Sequence, residues 1–337
     1  MATGRLLLAA TAASQLVGCY LAQATSGQAE VLLDRRPVGE VLHDGSLPPD
    51  RRRRLRFLLR VRDFGAEMLG LEMKGLYTTY HDPGRPRVAW NVSASLKDRF
   101  EARTWWFPVV GTVPYLGFFD RLDAEEEAAR LRDEGLDVLL RGVGGYSTLG
   151  WFDDPIFPTY LDGTPFDIAR LVLHEAAHAT VFLPSEVTFN ENFATLVGEE
   201  GAIRFLESRW GAGSVPVARA RAEISEARRF EAHMQTVVAE LEALYGSDLP
   251  SAEKVLRRET VFERGKAGLR DLHTTFKVAD RTRWLDREWN NAVLNSFRRY
   301  SGDLGPMRSM LLDRFGGDLR ALIAHVAALE APPPSPR

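Results

Sequence analysis

The chain has 337 residues, of which 45% are hydrophobic, and a formal net charge of −3. A chain of this length and composition can bury a sizeable core. Its near-neutral charge gives no general attraction to nucleic acid, so we expect no nucleic-acid partner. A single cysteine excludes a disulfide within the chain. The densest basic run, residues 51–56, favours a solvated helix face, and contact with anionic lipid headgroups is the alternative.

Residues 1–18 are typical of a signal peptide. A weakly positive start is followed by an apolar run that is too short to span a bilayer as a mature helix. The run ends in Leu16-Val17-Gly18-Cys19, which matches the bacterial lipobox, in which the cysteine becomes lipidated. We therefore expect a lipid anchor on Cys19 that holds the protein at the cell envelope, on the outer membrane facing the periplasm. A buried free thiol and an ordinary cleaved signal are the alternatives.

Residues 19–330 are predicted to form one domain of the α+β class. The elements expected in its first half are helix 48–70, extended segments within 75–119, helix 122–134 and strand 136–140. Those expected in its second half are helices 215–246, 251–276, 286–300, 303–315 and 317–330. The pattern predicts a small early sheet, antiparallel or mixed, packed on a mainly helical body, and the proline-rich residues 331–337 are expected to form a disordered tail.

Between these halves lies the pattern H-E-x-x-H. His174 and His178 are four residues apart, so on a helix both imidazoles can reach one metal ion. Glu175 can then serve as general base on a water that the metal activates. Thr164 as N-cap and Pro165 as first helical residue predict where this helix begins. The alternative is a pair of core histidines bonded to backbone, but a metal satisfies such costly buried polar groups well.

A candidate third ligand is carried by the next predicted helix, which runs from Phe189 to about Arg209. Catalytic zinc usually takes three protein ligands and leaves one position for water. Glu191 lies at the start of this helix, and a short loop can fold it back onto the histidines. The alternative role is a carboxylate favoured there by the helix dipole. Rival ligands are Glu186, Glu199 and Glu200, and Thr195 is a candidate hydrogen-bond partner for a histidine's far nitrogen.

Other candidate site residues lie in or near a glycine-rich stretch. Tyr146 could stabilise an oxyanion, although an aromatic packing role is equally compatible, and Tyr300 is a lesser candidate. A phosphate loop is disfavoured because the stretch lacks the lysine and serine that end one. Asp153 and Asp154 could bind a substrate amine or could cap the turn at Pro155.

The pairing of H-E-x-x-H with N-E-x-F-A resembles the gluzincin metallopeptidases, in which the glutamate of the second motif is the third zinc ligand; here it is Glu191. More closely, the chain resembles a bacterial family of predicted aminopeptidases, often exported as lipoproteins. The segments that carry this likeness are 109–119, 145–155, the two motifs and 289–292. The resemblance implies a zincin-like body and bound Zn²⁺. The spacer before Glu191 is shorter here than in better-known gluzincins.

Three functions follow from these patterns. The first is a zinc metallopeptidase, an aminopeptidase acting on peptide or peptide-like substrates, with Glu175 as general base. The second is a zinc-bearing envelope lipoprotein that binds or scaffolds other proteins. The third is a zinc amidase that acts on cell-wall fragments. We also expect substrate to lie along a sheet edge beside the metal helix, although the sequence does not show which strand forms that edge.

Overall fold

The computed structural model describes Gly27 and residues 30–107, 111–145, 154–183, 186–300 and 302–330. Within them the α+β class is confirmed, with small antiparallel sheets and a mainly helical second half. Strand β1 (Arg36–Pro37) and helix α1 (Val38–His43) come first. Helix α2 (Pro49–Phe64) follows and continues into a π-helical turn, so the prediction of one helical segment over 48–70 holds.

The predicted extended region contains five short strands. They are β2 (Thr79–Tyr80), β3 (Ala89–Ser95), β4 (Trp105–Phe107), β5 (Gly111–Val113) and β6 (Leu116–Phe118). Helix α3 (Arg121–Asp133) and strand β7 (Asp137–Val143) come next. The main sheet has the order β6-β3-β7 and is antiparallel throughout, with Val92 opposite Leu140. Among the described residues β7 pairs with β3 alone, so it forms one edge of this sheet.

One face of the main sheet is covered by α3. Val92 and Ala94 alternate inward on β3 and meet Ala124, Ala128 and Leu131 of the helix in one apolar cluster. The helix begins at Arg121 because the Asp120 carboxylate accepts hydrogen bonds from the first free backbone N–H groups. The opposite side of β7 is therefore left for the helical body.

The helical body begins after a 3₁₀ turn, Pro158–Leu161. Its longer helices are α4 (Pro165–Thr180), α5 (Val187–Trp210), α6 (Val215–Tyr245), α7 (Ser251–His273), α9 (Asn291–Tyr300) and α11 (Leu319–Glu330). Two short helices, α8 (Thr282–Asp286) and α10 (Gly305–Ser309), lie between them, and a π-helical turn, Met310–Arg314, follows α10.

The prediction of a helix starting at residue 286 is wrong at its amino end. Asn290 accepts a hydrogen bond from the backbone N–H of Val293 at 3.0 Å and so caps α9, which begins at Asn291. The preceding residues leave the helical conformation after α8, where Arg287 is extended.

A buried polar network ties the sheet to the helical body. Asp137, at the start of β7, accepts two hydrogen bonds from the Arg258 guanidinium, at 2.6 and 3.1 Å, and one from the backbone N–H of Asn291 at 2.8 Å. The Asn291 amide donates to the carbonyls of Leu96, Lys97 and Arg99. All three of the side chains that form this network are buried. The network therefore fixes where β7 runs relative to the helices.

Candidate metal centre and adjoining cleft

Helix α4 presents the two histidines side by side. It begins as predicted, with Thr164 and Asp167 forming a reciprocal capping box and Pro165 as first residue. One turn separates His174 from His178, and their Nε2 atoms lie 3.2 Å apart. Both rings are partly buried, with Ala176 and Ala177 between them in the core. The helix thus turns its apolar face inward and keeps one polar corner for the imidazoles.

Helix α5 approaches α4 closely because two of its residues are glycines. A Cβ on Gly198 would lie 2.9 Å from the carbonyl oxygen of Arg170 and 3.2 Å from the Cβ of His174. A Cβ on Gly201 would lie 2.8 Å from a methyl carbon of Leu173. A side chain at either glycine would therefore force its neighbours on α4 to shift. Sequence reasoning missed these glycines, although their spacing of three on a predicted helix was a usable signal.

Gly198→Ala is expected to destabilise the fold by about 1–3 kcal/mol, because overpacking a closed contact forces backbone to shift. The same shift should weaken metal binding, because the displaced backbone carries His174. Urea unfolding and metal titration measure the two effects. Gly39→Ala, in a helical position where a Cβ meets nothing within 4 Å, is the matched control. An unchanged metal affinity in Gly198→Ala would show that the close crossing does not position the site.

Glu191 lies between the two imidazoles. Its Oε2 is 3.7 Å from Nε2 of His174, and its Oε1 is 3.7 Å from Nε2 of His178. The neighbouring Asn190 is buried, and its amide makes two hydrogen bonds with the backbone of Leu183, at 2.8 and 3.0 Å. These bonds hold the link between the helices, so the short spacer is long enough to return the carboxylate to the histidines.

The rival carboxylates lie elsewhere. Glu186 is exposed in the link. Glu199 forms a 2.5 Å ion pair with Arg308, and Glu200 forms one of 3.0 Å with the same guanidinium. Within the described part of the chain, the group of three that could hold a metal is His174, His178 and Glu191, with ligand atoms all within 4.8 Å of one another.

The three donor atoms fit a divalent cation. A tetrahedral ion with bonds of about 2.0–2.1 Å keeps its ligand atoms about 3.3 Å apart. The separations of 3.2 and 3.7 Å are close to that value. Burial, aided by His178 and Arg170, lowers the pKa of His174 to about 3, and burial also lowers the pKa of His178. Both rings are therefore neutral at pH 7, and each keeps a lone pair for a metal.

The expected contact with Thr195 is replaced by one with its neighbour. A hydrogen bond to the backbone of Ala194 acts on the His174 ring and partly offsets the fall in its pKa. Ala194 and Phe193 are both buried, so the last two residues of N-E-x-F-A pack in the core. A backbone partner of this kind helps to orient the imidazole ring.

Glu175 lines a cleft and is not one of the three grouped metal-ligand candidates. It lines a cavity of about 460 Å³ together with residues 141–145, at the carboxyl end of β7, and Tyr160. Burial, and then the charges of Asp154 and Glu191, raise the pKa of Glu175 to about 7. The edge strand beside the metal helix is therefore β7, and the carboxyl that could move a proton lies at its end.

Tyr77 is a buried neighbour of Glu175 whose hydroxyl feels the charge of that carboxylate, and sequence reasoning missed it. Its ring is fully buried, and burial, followed by the charges of Glu175, Tyr160 and Asp154, raises its pKa well above the usual value. Its backbone has a φ of 60°, which a non-glycine residue rarely adopts. Strained backbone of this kind is held in place by surrounding structure and clusters near functional sites.

In the metal-free protein, Glu175→Gln is expected to be stabilising at high pH. The folded pKa of about 7 exceeds the ordinary 4.5, so the carboxyl favours the fold below pH 4.5 and this contribution is lost as pH rises through 7. At pH 8 the wild type should be less stable than the variant by about 3 kcal/mol. Urea unfolding in chelator at pH 5 and pH 8 measures this, with the exposed Glu126→Gln as control. Equal variant effects at both pH values would contradict it.

Several predicted residues lie outside the described part of the chain. These are Cys19, Tyr146, Asp153, the signal segment, the carboxy-terminal tail and the side chain of Tyr300. Asp154 is described: it is buried, and its backbone carbonyl accepts a hydrogen bond from Tyr77. Among the described residues, none of the helices combines the length and apolarity needed to cross a membrane.

Fold and site together define an α+β protein in which two helices supply the three candidate metal ligands. Glu175, on the first of these helices, faces the carboxyl end of the edge strand β7 across a cleft. The chain belongs to the family described as "Putative aminopeptidase", whose model matches residues 19–337. The resemblance to an aminopeptidase family is thereby confirmed, and the family's description indicates a peptidase. No curated protein and no solved structure matches the chain.

Proposed function

We propose that the protein is a zinc-dependent aminopeptidase of the gluzincin type. The observation that carries this proposal is the placement of Glu175, with its raised pKa, in a cleft beside the group of His174, His178 and Glu191. Two neutral imidazoles and a carboxylate are one of the donor sets found in catalytic zinc sites. The family's description supports the peptidase activity.

The edge of β7 supports the binding of an extended peptide. Among the described residues β7 has no second strand partner, so an extended peptide could pair along its outer edge beyond Val138, whose carbonyl already accepts a hydrogen bond from Asn290. A bound zinc ion would supply Lewis acidity, polarising the scissile carbonyl and making water more acidic. Asp154, whose charge reaches Glu175, is our candidate for holding the substrate's amino group, together with Asp153.

Glu175 is the proton carrier in this proposal. As carboxylate it accepts a proton from the attacking water, and it then donates that proton to the nitrogen of the leaving amine. Burial raises its pKa in the metal-free protein, and a bound cation would favour the carboxylate form that accepts the proton. From the sequence alone, we propose that the Tyr146 hydroxyl donates a hydrogen bond to the developing oxyanion.

We also propose that Cys19 anchors the protein to the cell envelope by a lipid, with the lipobox as support. In bacteria that export the full chain, Cys19→Ser should abolish incorporation of labelled fatty acid and release the protein from the membrane fraction. Fractionation followed by immunoblotting measures this. Continued labelling of the serine variant would refute the anchor.

The activity is tested by metal analysis of purified protein and a panel of aminoacyl reporters, unmodified peptides, N-acetylated peptides and cell-wall fragments. We expect one zinc per chain and hydrolysis of free-amine substrates, with N-acetylated peptides left intact. Cleavage of cell-wall fragments alone would assign an amidase. Zinc without hydrolysis of any substrate would assign a binding role.

A further inference from the structure

Two adjoining cavities form one cleft along β7. The cavity of about 460 Å³ that contains Glu175 and a second one of about 390 Å³ share two lining residues, Arg141 and Arg283. Arg87 lines the first cavity, and Arg287 lines the second. We call these four arginines the basic cluster. Two of them line both cavities, and the other two line one cavity each.

The basic cluster lacks acidic partners. In the described segments none of the four guanidinium groups has a carboxylate within 4.0 Å, whereas the nearby Arg308 pairs with Glu199 and Glu200. The Nε of Arg287 is buried without a hydrogen-bond partner. Burial, and then the charges of Arg283 and Arg141, lower the pKa of Arg287. These positive charges therefore repel each other across the cleft, and no described carboxylate lies close enough to form an ion pair with them.

Elsewhere in the second cavity, positive and negative side chains lie close together. Arg281 lies near Glu223 and Glu231, whose charges favour its protonated form against burial. In the first cavity the only acidic lining residue described is Glu175. Uncompensated positive charge is thus concentrated where a substrate bound along β7 would lie.

We propose that the basic cluster binds a carboxylate of the substrate and makes acidic peptides the preferred class. This inference rests on the proposed peptidase function. Guanidinium groups present paired N–H donors that match the two oxygens of a carboxylate. The carboxylate can come from an acidic side chain or from the free carboxyl terminus of a short peptide, and both would meet the same arginines.

The contact between Gly142 and Arg87 shows how the fold positions one arginine of the basic cluster. A Cβ at this position would lie 2.8 Å from the Cγ of Arg87, so the Arg87 stem lies over the glycine on β7. Any side chain at Gly142 would displace the Arg87 stem from this place beside the cavity. This contact gives Arg87 a defined position although its side chain is exposed.

The test uses full-length protein carrying Glu175→Gln, with zinc added, so that peptides bind without being cut. Calorimetry compares four alanine-based pentapeptides: central glutamate with an amidated end, central glutamine with an amidated end, central glutamine with a free carboxyl end, and central lysine with an amidated end. We expect a carboxylate to improve affinity about tenfold over the amidated glutamine peptide, because charge-assisted bonds are roughly twice as strong as neutral ones. The lysine peptide should bind most weakly.

Arginine variants in the same background identify the cluster as the cause. Arg283→Gln and Arg141→Gln should each weaken binding of the preferred peptide about fivefold, the upper range for an exposed ion pair, and Arg283→Glu should reverse the preference toward lysine. Arg219→Gln removes an exposed arginine that lines neither cavity and should change nothing. Added sodium chloride should weaken binding of the carboxylate peptide more than that of the neutral peptide.

The outcomes separate this inference from the proposed function. A preference for the glutamate peptide identifies a side-chain carboxylate, and a preference for the free carboxyl end identifies the terminal one. Equal affinities, no measurable binding, or a preference that survives the arginine variants overturns the inference. Hydrolysis by the wild-type protein is scored separately, so a peptidase without charge preference keeps the function and loses only the basic cluster.

Discussion

Glu175→Gln is expected to keep the metal and lose about 10²–10⁴-fold in kcat/KM, the contribution typical of a positioned general base. Glutamine has the same shape as glutamate, but its amide cannot accept the proton of the attacking water. The side chain points into the cleft and is not among the three grouped ligands, so metal content should be unchanged. Metal analysis and steady-state kinetics on free-amine substrates measure the two effects.

The control for this experiment is Glu126→Gln, which neutralises an exposed carboxylate on α3 far from the cleft lining. It should retain wild-type kinetics. Activity in Glu175→Gln within a factor of two of wild type would remove Glu175 from the chemistry, whatever the metal content. Loss of metal together with activity would instead make Glu175 a ligand or a structural support of the site.

Local sequence chemistry was enough to locate the metal helix. Thr164 as N-cap and Pro165 as first helical residue depend only on neighbouring residues, and the structure has both where they were predicted, with Asp167 completing a capping box. The four-residue spacing of His174 and His178 follows from helix geometry in the same way. Such features are predictable because each involves contacts within about one turn of a helix.

Contacts between distant residues could not be read from the pattern. Glu191 was one of four candidate carboxylates, and its selection depends on the crossing at Gly198 and on the hydrogen bonds of Asn190 to Leu183. The start of α9 was missed because Asn290 ends a non-helical stretch whose course is set by Asp137, over one hundred and fifty positions away. The periodicity of hydrophobic residues gives no information on contacts between residues that are far apart in the sequence.

The cleft is a further case of the same kind. Arg87, Arg141 and Arg283 are scattered in sequence and carry no common motif. They meet because β7 pairs with β3 on one side and runs past α8 on the other. The identity of β7 as the edge strand likewise required the sheet order. The positive charge of the cleft therefore arises from how the fold brings these arginines together, and the nearly neutral net charge of the whole chain gave no sign of it.

Glu191→Gln is expected to lower metal affinity more than about 100-fold, because loss of even an outer partner of a metal ligand costs about 10–100-fold. The carboxylate lies 3.7 Å from both imidazoles, so its negative charge is the nearest compensation for a divalent ion. Its neutral amide analogue keeps the volume and removes that charge. Competition with a chromogenic chelator measures the affinity, and activity should fall in proportion to metal lost at limiting zinc.

The matched control is Glu186→Gln, because Glu186 is a rival from the same inter-helix link that the structure leaves exposed. Its metal affinity should equal that of the wild type. The reverse result, with affinity lost in Glu186→Gln and kept in Glu191→Gln, would mean that the link rearranges when metal binds. Equal affinity in both variants would leave the two histidines without a carboxylate partner from α5, and the proposed zinc site would then lack its third protein ligand.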